Sequence, residues 1–147
     1  MNKLGDLSCN EFLTELASAA PAPGGGGGAA MAGALAAALA SMVANLTIGK
    51  EKFADREPEV KELLEQAEAE RVRLLTLVDE DAAVFNSFMS CYKLPKTTDE
   101  EKAARTAAIR AAAKQAATVP LNIARSSFAV LKLADRLVST RWQETRA

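Results

Sequence analysis

This chain has no histidine. The commonest general base and the commonest metal ligand are therefore both missing, and any acid–base chemistry has to come from another side chain. Cysteine is scarce as well. Cys9 and Cys91 stand far apart with no C-x-x-C pair, which argues against a disulfide framework or a zinc site and fits a reducing, cytoplasmic setting. Neither sign of charge dominates: 18 Lys and Arg face 19 Asp and Glu, for a net charge of −1. That removes the electrostatic case for binding nucleic acid or a membrane surface. No secretory signal is visible, because Asn2, Lys3 and Asp6 make the N-terminus polar and the first apolar helix carries Glu11 and Glu15. Alternating strand patterns, hairpin dipeptides and fixed-period repeats are absent too.

The most informative absence is local. No charged residue occurs from Leu16 to Gly49. The stretch from Gly28 to Ile48 is long enough to span a membrane. It is mostly alanine and glycine, however, and only Leu35, Leu39, Met42, Val43, Leu46 and Ile48 add much hydrophobicity. A buried central helix of a soluble bundle is the better reading, and a membrane-associated helical protein is the competing one. The helix is opened by Pro21-Ala22-Pro23 and five consecutive glycines, Gly24 to Gly28. Glycine is entropically expensive to order, so a folded chain that keeps such a run needs close backbone approach there. The glycines are expected to form a loop that cradles an anion or a flat ring at the helix N-terminus; a flexible linker is the alternative. A Walker loop does not fit, because Gly49-Lys50 is followed by Glu51 and position 44 is Ala. A dinucleotide fingerprint fails for want of a preceding strand.

What is present reads as helix. The 147 residues, 49% hydrophobic, suffice for one domain with a sizeable core. The pattern predicts an all-α helical bundle of about five helices with a long central helix pair. The first helix starts at the Ser8-x-x-Glu11 capping box and runs to about Ala19, where Pro21 and Pro23 stop it. The second runs from near Gly27 to Ile48 or Gly49, with Met31, Leu35, Leu39, Met42 and Leu46 along one stripe. Gly33, Ala36, Ala37, Ala40 and Ala44 give it a thin body that neighbours can approach. The third takes Pro58 at its first position and ends near Tyr92, before Leu94-Pro95-Lys96. A capping signal over Thr97 to Glu101 opens a fourth helix to about Thr118; Pro120 breaks or kinks the chain. A fifth helix, Leu121 to Val138, is apolar on two sides: Leu121, Ala124, Phe128 and Leu131 on one, Ile123, Val130, Ala134 and Leu137 on the other.

The third helix carries the sharpest chemical signal. Its apolar seam runs Leu74, Val78, Phe85, Phe88 and Tyr92, and the place between Val78 and Phe85 is held by Asp81. A carboxylate on an apolar stripe is either buried with partners or serves a site, and burial raises its pKa into a usable range. The alternative sets Asp81 at the stripe's edge, within the acidic run Asp79-Glu80-Asp81. Lys50 is the second candidate, either as a cation at a helix C-terminus or as an ammonium beside Asp81 or an anionic substrate. Asn45 sits among Met42, Leu46 and alanines, so its amide is expected to need a buried partner or a ligand. Thr47 lies next to it.

Taken together these residues resemble the cyclodeaminase/cyclohydrolase family of folate metabolism. That family includes the cyclodeaminase half of formiminotransferase-cyclodeaminase and stand-alone methenyltetrahydrofolate cyclohydrolases. The matching features are Phe12 to Leu16, Pro21-Ala22-Pro23-Gly24-Gly25-Gly26, Ser41 to Thr47 and Gly49-Lys50. Asp81-Ala82-Ala83-Val84-Phe85, Leu94-Pro95-Lys96 and Pro120 at the head of a helix follow in the family's order. The resemblance implies an all-α homodimer or higher oligomer that takes a tetrahydrofolate derivative as substrate, without metal or cofactor, near the subunit contact. It implies hydrolysis of 5,10-methenyltetrahydrofolate to 10-formyltetrahydrofolate, or cyclisation of formiminotetrahydrofolate with loss of ammonia. On that footing Asp81 is the expected proton shuttle, and Lys50 holds it charged or polarises water. Pro23, Gly24, Gly25 and Gly26, with Asn45 and Thr47, line the substrate. Lys96 meets the glutamate tail or is simply solvated. Family members usually continue past this length, and the tail from Leu137 onward does not resemble their continuation. A C-terminally shortened homologue is thus expected to leave apolar surface on the second and fifth helices. A non-catalytic folate-binding or protein-interaction module is the alternative function.

Overall fold

The computed structural model describes residues 3–142. Among these there are four α-helices and no strand: α1 Cys9–Leu16, α2 Gly24–Asn45, α3 Glu57–Cys91 and α4 Asp99–Trp142. Short 3-10 turns at Leu4–Asp6 and Glu51–Phe53 complete the regular structure.

Local signals explain most boundaries. At the start of α1, Glu11 N–H donates to Ser8 Oγ at 3.3 Å, and Ser8 N–H donates to Glu11 Oε2 at 2.9 Å. The same reciprocal pair opens α4, where Glu101 N–H donates to Thr98 Oγ1 and Thr98 N–H to Glu101 Oε2, each at 3.2 Å. Each box satisfies two of the donors that a helix start leaves unpaired, a stabilisation of about 0.5–2 kcal/mol. α2 ends in a turn closed by Gly49, whose φ of 76° is the left-handed value that glycine adopts without penalty.

Two expectations need correction. The expected fourth and fifth helices are one helix, and Pro120 lies inside it. Proline costs about 3 kcal/mol within a helix, but Val119 and Ile123 are buried on either side of an exposed Pro120 and hold the backbone helical. The glycines are not a loop either. Gly24 to Gly28 form the first turns of α2, and of these only Gly24, at φ 59°, needs a left-handed backbone.

The chain forms two compact units. The first draws on the chain up to Ala29 and on Thr76–Ile123; the second on Ala30–Leu75 and on the chain from Ala124. In the second unit the core joins Ala40 and Ala44 of α2, Val60, Leu63 and Ala67 of α3, and Leu133 and Leu137 of α4. Leucines from α3 and α4 fill the space that alanine leaves, so α2 is approached along its small-residue face. Within this unit its closest approach at a glycine is Gly33, where a Cβ would lie 2.8 Å from Ser127 Oγ and 3.2 Å from the Leu74 methyls. Ser41 is buried there and donates to Glu68 Oε1 at 2.7 Å, and Arg71 donates to Glu68 through Nε and Nη2.

The large apolar residues of α2 face the other way. Leu35, Leu39, Met42 and Leu46 are all at least half exposed. On α4, Phe128 and Leu131 are exposed while Val130, Leu133 and Leu137 are buried. Apolar surface is therefore open on the two segments where it was expected. α2 is also the one helix among the described residues long and apolar enough to cross a membrane, with 44% of its most apolar window buried.

In the first unit Phe12, Leu77, Val78, Val119 and Ile123 are buried. Leu16 of α1 packs on Gly28, where a Cβ would come within 3.2 Å of it. The N-terminal turn is tied to α3 by Leu4 N–H, which donates to Asp79 Oδ1 at 2.6 Å.

Candidate functional site

The first turn of α2 and the middle of α3 meet within the first unit, and the meeting point is a carboxyl group on a glycine. A Cβ built on Gly26 would fall inside the Asp81 carboxyl, overlapping Cγ and both oxygens. Only a residue with no side chain lets that carboxyl rest on the helix backbone. The group that approaches the glycine run is thus the protein's own.

Asp81 is half-buried. Burial pushes its carboxyl pKa above the ordinary 3.8, and a hydrogen bond from Gly27 N–H offsets part of that rise. The same Gly27 N–H also points to Pro23 O at 3.2 Å. The acidic run resolves into three different roles: Asp79 anchors the N-terminal turn, Glu80 is exposed, and Asp81 is held against α2. A carboxyl with one backbone donor and a pKa raised by burial can take a proton and return it.

Of the other residues singled out by the sequence, Pro23, Gly24, Gly25 and Gly26 share the first unit with Asp81. Pro23 is fully buried and shapes the turn into α2. Gly24 and Gly25 have open space where a Cβ would stand. Lys96 is exposed in the segment between α3 and α4. Asn45, Thr47 and Lys50 belong to the second unit. Asn45 is exposed, so of the two expectations for its amide the buried partner falls away and a ligand is the one left. Thr47 is buried with its hydroxyl donating to Val43 O at 2.7 Å. Lys50 is exposed beyond the Gly49 turn and forms no ion pair among the described residues.

Sequence reasoning missed two residues of this region. Gly27 was seen only as one of five glycines, although its N–H is the carboxyl's donor. Arg105 sits in an alanine-rich helix with no local signal. Its guanidinium lies 5.4 Å over the Tyr92 ring, and Nη2 donates to Tyr92 O at 3.4 Å. The seam that exposed Asp81 also contained Tyr92, but only the fold brings Arg105 over it. Among the described residues no three His, Cys, Asp or Glu side chains converge as a metal ion would require.

Residues 8–143 match the formiminotransferase-cyclodeaminase family. The chain is 49% identical over 131 residues to a methenyltetrahydrofolate cyclohydrolase of Methylorubrum extorquens, covering 89% of this chain and 63% of that protein. It is 40% identical over 121 residues to a formimidoyltransferase-cyclodeaminase of Rattus norvegicus, covering 82% of this chain and 22% of that protein. The crystal structure of a formiminotetrahydrofolate cyclodeaminase from Thermotoga maritima aligns with a TM-score of 0.58 and 28% identity, covering 95% of this chain and 80% of that one. The chain spans less than two thirds of the length of these two curated relatives.

Proposed function

This chain belongs to the formiminotransferase-cyclodeaminase family, and from that premise we propose that it hydrolyses 5,10-methenyltetrahydrofolate to 10-formyltetrahydrofolate. The observation that carries the proposal is Asp81, a carboxyl seated on Gly26, held by Gly27 N–H and raised in pKa by burial. Similarity at 49% identity to a protein named as a methenyltetrahydrofolate cyclohydrolase supports this reaction.

The chemistry follows from the position of one proton acceptor. Water attacks the carbon between N5 and N10, and Asp81 takes a proton as the C–O bond forms. The tetrahedral carbon then releases N5, which receives that proton as the C–N5 bond breaks. The remaining hydroxyl proton passes to solvent as the formyl C=O forms on N10. The positive charge of the methenyl compound leaves with it, so atoms and charge balance. A carboxyl whose proton affinity is raised by burial suits both halves, because it must accept in the first step and donate in the second.

A second reading is favoured by the relatives named as cyclodeaminases. In it N10 attacks the formimino carbon, and Asp81 hands a proton to the departing ammonia. The methenyl chromophore separates the two. Protein-dependent decay from methenyltetrahydrofolate supports hydrolysis, and protein-dependent growth from the formimino compound supports cyclisation. No change with either substrate, from folded protein, sinks both.

The exposed Leu35, Leu39, Met42 and Leu46 face supports assembly as a homodimer, which sedimentation would read directly. Two free cysteines support a cytoplasmic location.

A further inference from the structure

We propose that the face of α3 beyond Asp81 binds the aminobenzoyl ring of the folate and that Arg105 binds its glutamate carboxylate. This rests on the reaction proposed above. Asp81, Phe85, Phe88 and Tyr92 recur at helical spacing and so share one face. From Asp81 to Tyr92 that face extends about 16 Å, at 1.5 Å per residue.

It is an unusual surface to leave in water. Phe85 is 39% exposed and Tyr92 46% exposed, next to a half-buried carboxyl. Phe88 packs edge-on against Tyr92, ring centres 5.3 Å apart. At the far end lies Arg105, whose only acceptor among the described residues is the long contact to Tyr92 O. Arg105 Nε is shut off from solvent and has no acceptor among the described residues. A buried donor without a partner is costly, and a carboxylate is the group that accepts from two guanidinium N–H at once.

The substrate presents its groups in the matching order. The reacting carbon is followed by an aromatic ring and then by carboxylates. With that carbon at Asp81, the ring falls on Phe85 and Phe88, where offset or edge contacts are favourable. The glutamate then falls at Tyr92 and Arg105. Arg105 is a binding and positioning residue in this arrangement and takes no part in proton transfer.

The test uses two fragments, p-aminobenzoylglutamate and the uncharged p-aminobenzamide, titrated by calorimetry or NMR onto the full chain. Arg105→Gln is expected to weaken the first about tenfold or more and leave the second unchanged, with Arg105→Lys recovering part of the loss. In turnover, Arg105→Gln should raise KM for methenyltetrahydrofolate while kcat holds. The glutamate-free methenyltetrahydropteroate should show no such change. If Arg105→Gln fails to fold, Tyr92→Leu provides the reading and should weaken both fragments. Equal affinities in the wild type and variants, or no binding of either fragment to the wild type, overturns the inference. Turnover without any effect of Arg105 would remove the binding face and leave the reaction standing. Fragment binding without turnover would do the reverse.

Discussion

Replacing Gly26 by alanine places a methyl group where the Asp81 carboxyl now stands, and the consequence can be worked out from two opposing terms. Alanine is the better helix former by about 1 kcal/mol, and Gly26 has an ordinary helical backbone that alanine can adopt. Against this, forcing an extra carbon into an occupied space costs about 1–3 kcal/mol. Gly25 is the internal control, because it lies in the same turn and a Cβ there meets nothing within 4 Å. Gly25→Ala should therefore be neutral or stabilising, and Gly26→Ala should be worse than it by about 1–3 kcal/mol. Cγ and both oxygens overlap the new methyl, so the whole carboxyl has to move. Only rotation about χ1 clears it, and that withdraws the carboxyl from Gly27 N–H. The variant therefore loses stability or loses the seated carboxyl. In the second case turnover should fall by about 10²-fold or more, the usual contribution of a positioned acid–base group. Removing the carboxyl should relieve the clash, so Gly26→Ala with Asp81→Ala should show a coupling of about 1–3 kcal/mol in urea unfolding. Equal stabilities of Gly25→Ala and Gly26→Ala, strict additivity in the double variant and unchanged turnover would refute this account of the glycine run.

Three further outcomes follow from the same structure. Because burial raises the folded pKa of Asp81 above 3.8, the fold favours the protonated carboxyl. Its contribution is fully present below the unfolded value and is lost as pH rises through the raised folded value. Asp81→Asn carries no titrating group, so unfolding measured across pH should show the variant gaining on the wild type through that window and then levelling; parallel curves would contradict it. For the same reason the acid limb of wild-type kcat/KM should lie above the ordinary aspartate value of 3.8, and a limb at or below 3.8 would exclude Asp81 as the base. Pro120→Ala restores a donor to the middle of an exposed helix face and should raise stability by about 1–3 kcal/mol with turnover unchanged. A loss of stability in thermal melts would show that the proline itself is needed for packing.

How far the sequence could be read depended on whether a residue's role was local. The capping boxes at Ser8 and Thr98 were legible because donor and acceptor lie three residues apart. Asp81 was legible because its own helix set the expectation of an apolar residue there. The carboxyl's seat was not, since nothing in α3 says that a glycine from α2 will lie under it. Pro120 misled because a helix breaker is judged by its own bond, whereas the buried Val119 and Ile123 beside it decide the outcome. Asn45 misled in the opposite sense. Its apolar neighbours Met42 and Leu46 face outward, so it shares their exposure.

α2 shows why that last error arises and what the helix is for. A hydrophobic stripe of leucines is ordinarily taken as the buried side of a helix. Here the buried side is Ala30, Ala34, Ala37, Ala40 and Ala44, with Gly27 and Gly33 in line. Small residues bring a backbone close to its neighbours, and close backbone is what the site uses. At Gly33 it admits Leu74 and Ser127 side chains as packing. At Gly26 and Gly27 it admits the Asp81 carboxyl, supplying both the surface that buries it and the N–H that holds it. A larger residue at position 26 would exclude the carboxyl, and proline at 27 would remove its donor. The glycine run and the carboxylate are therefore two halves of one device, in which the same contact fixes the position of the carboxyl and shifts its affinity for the proton.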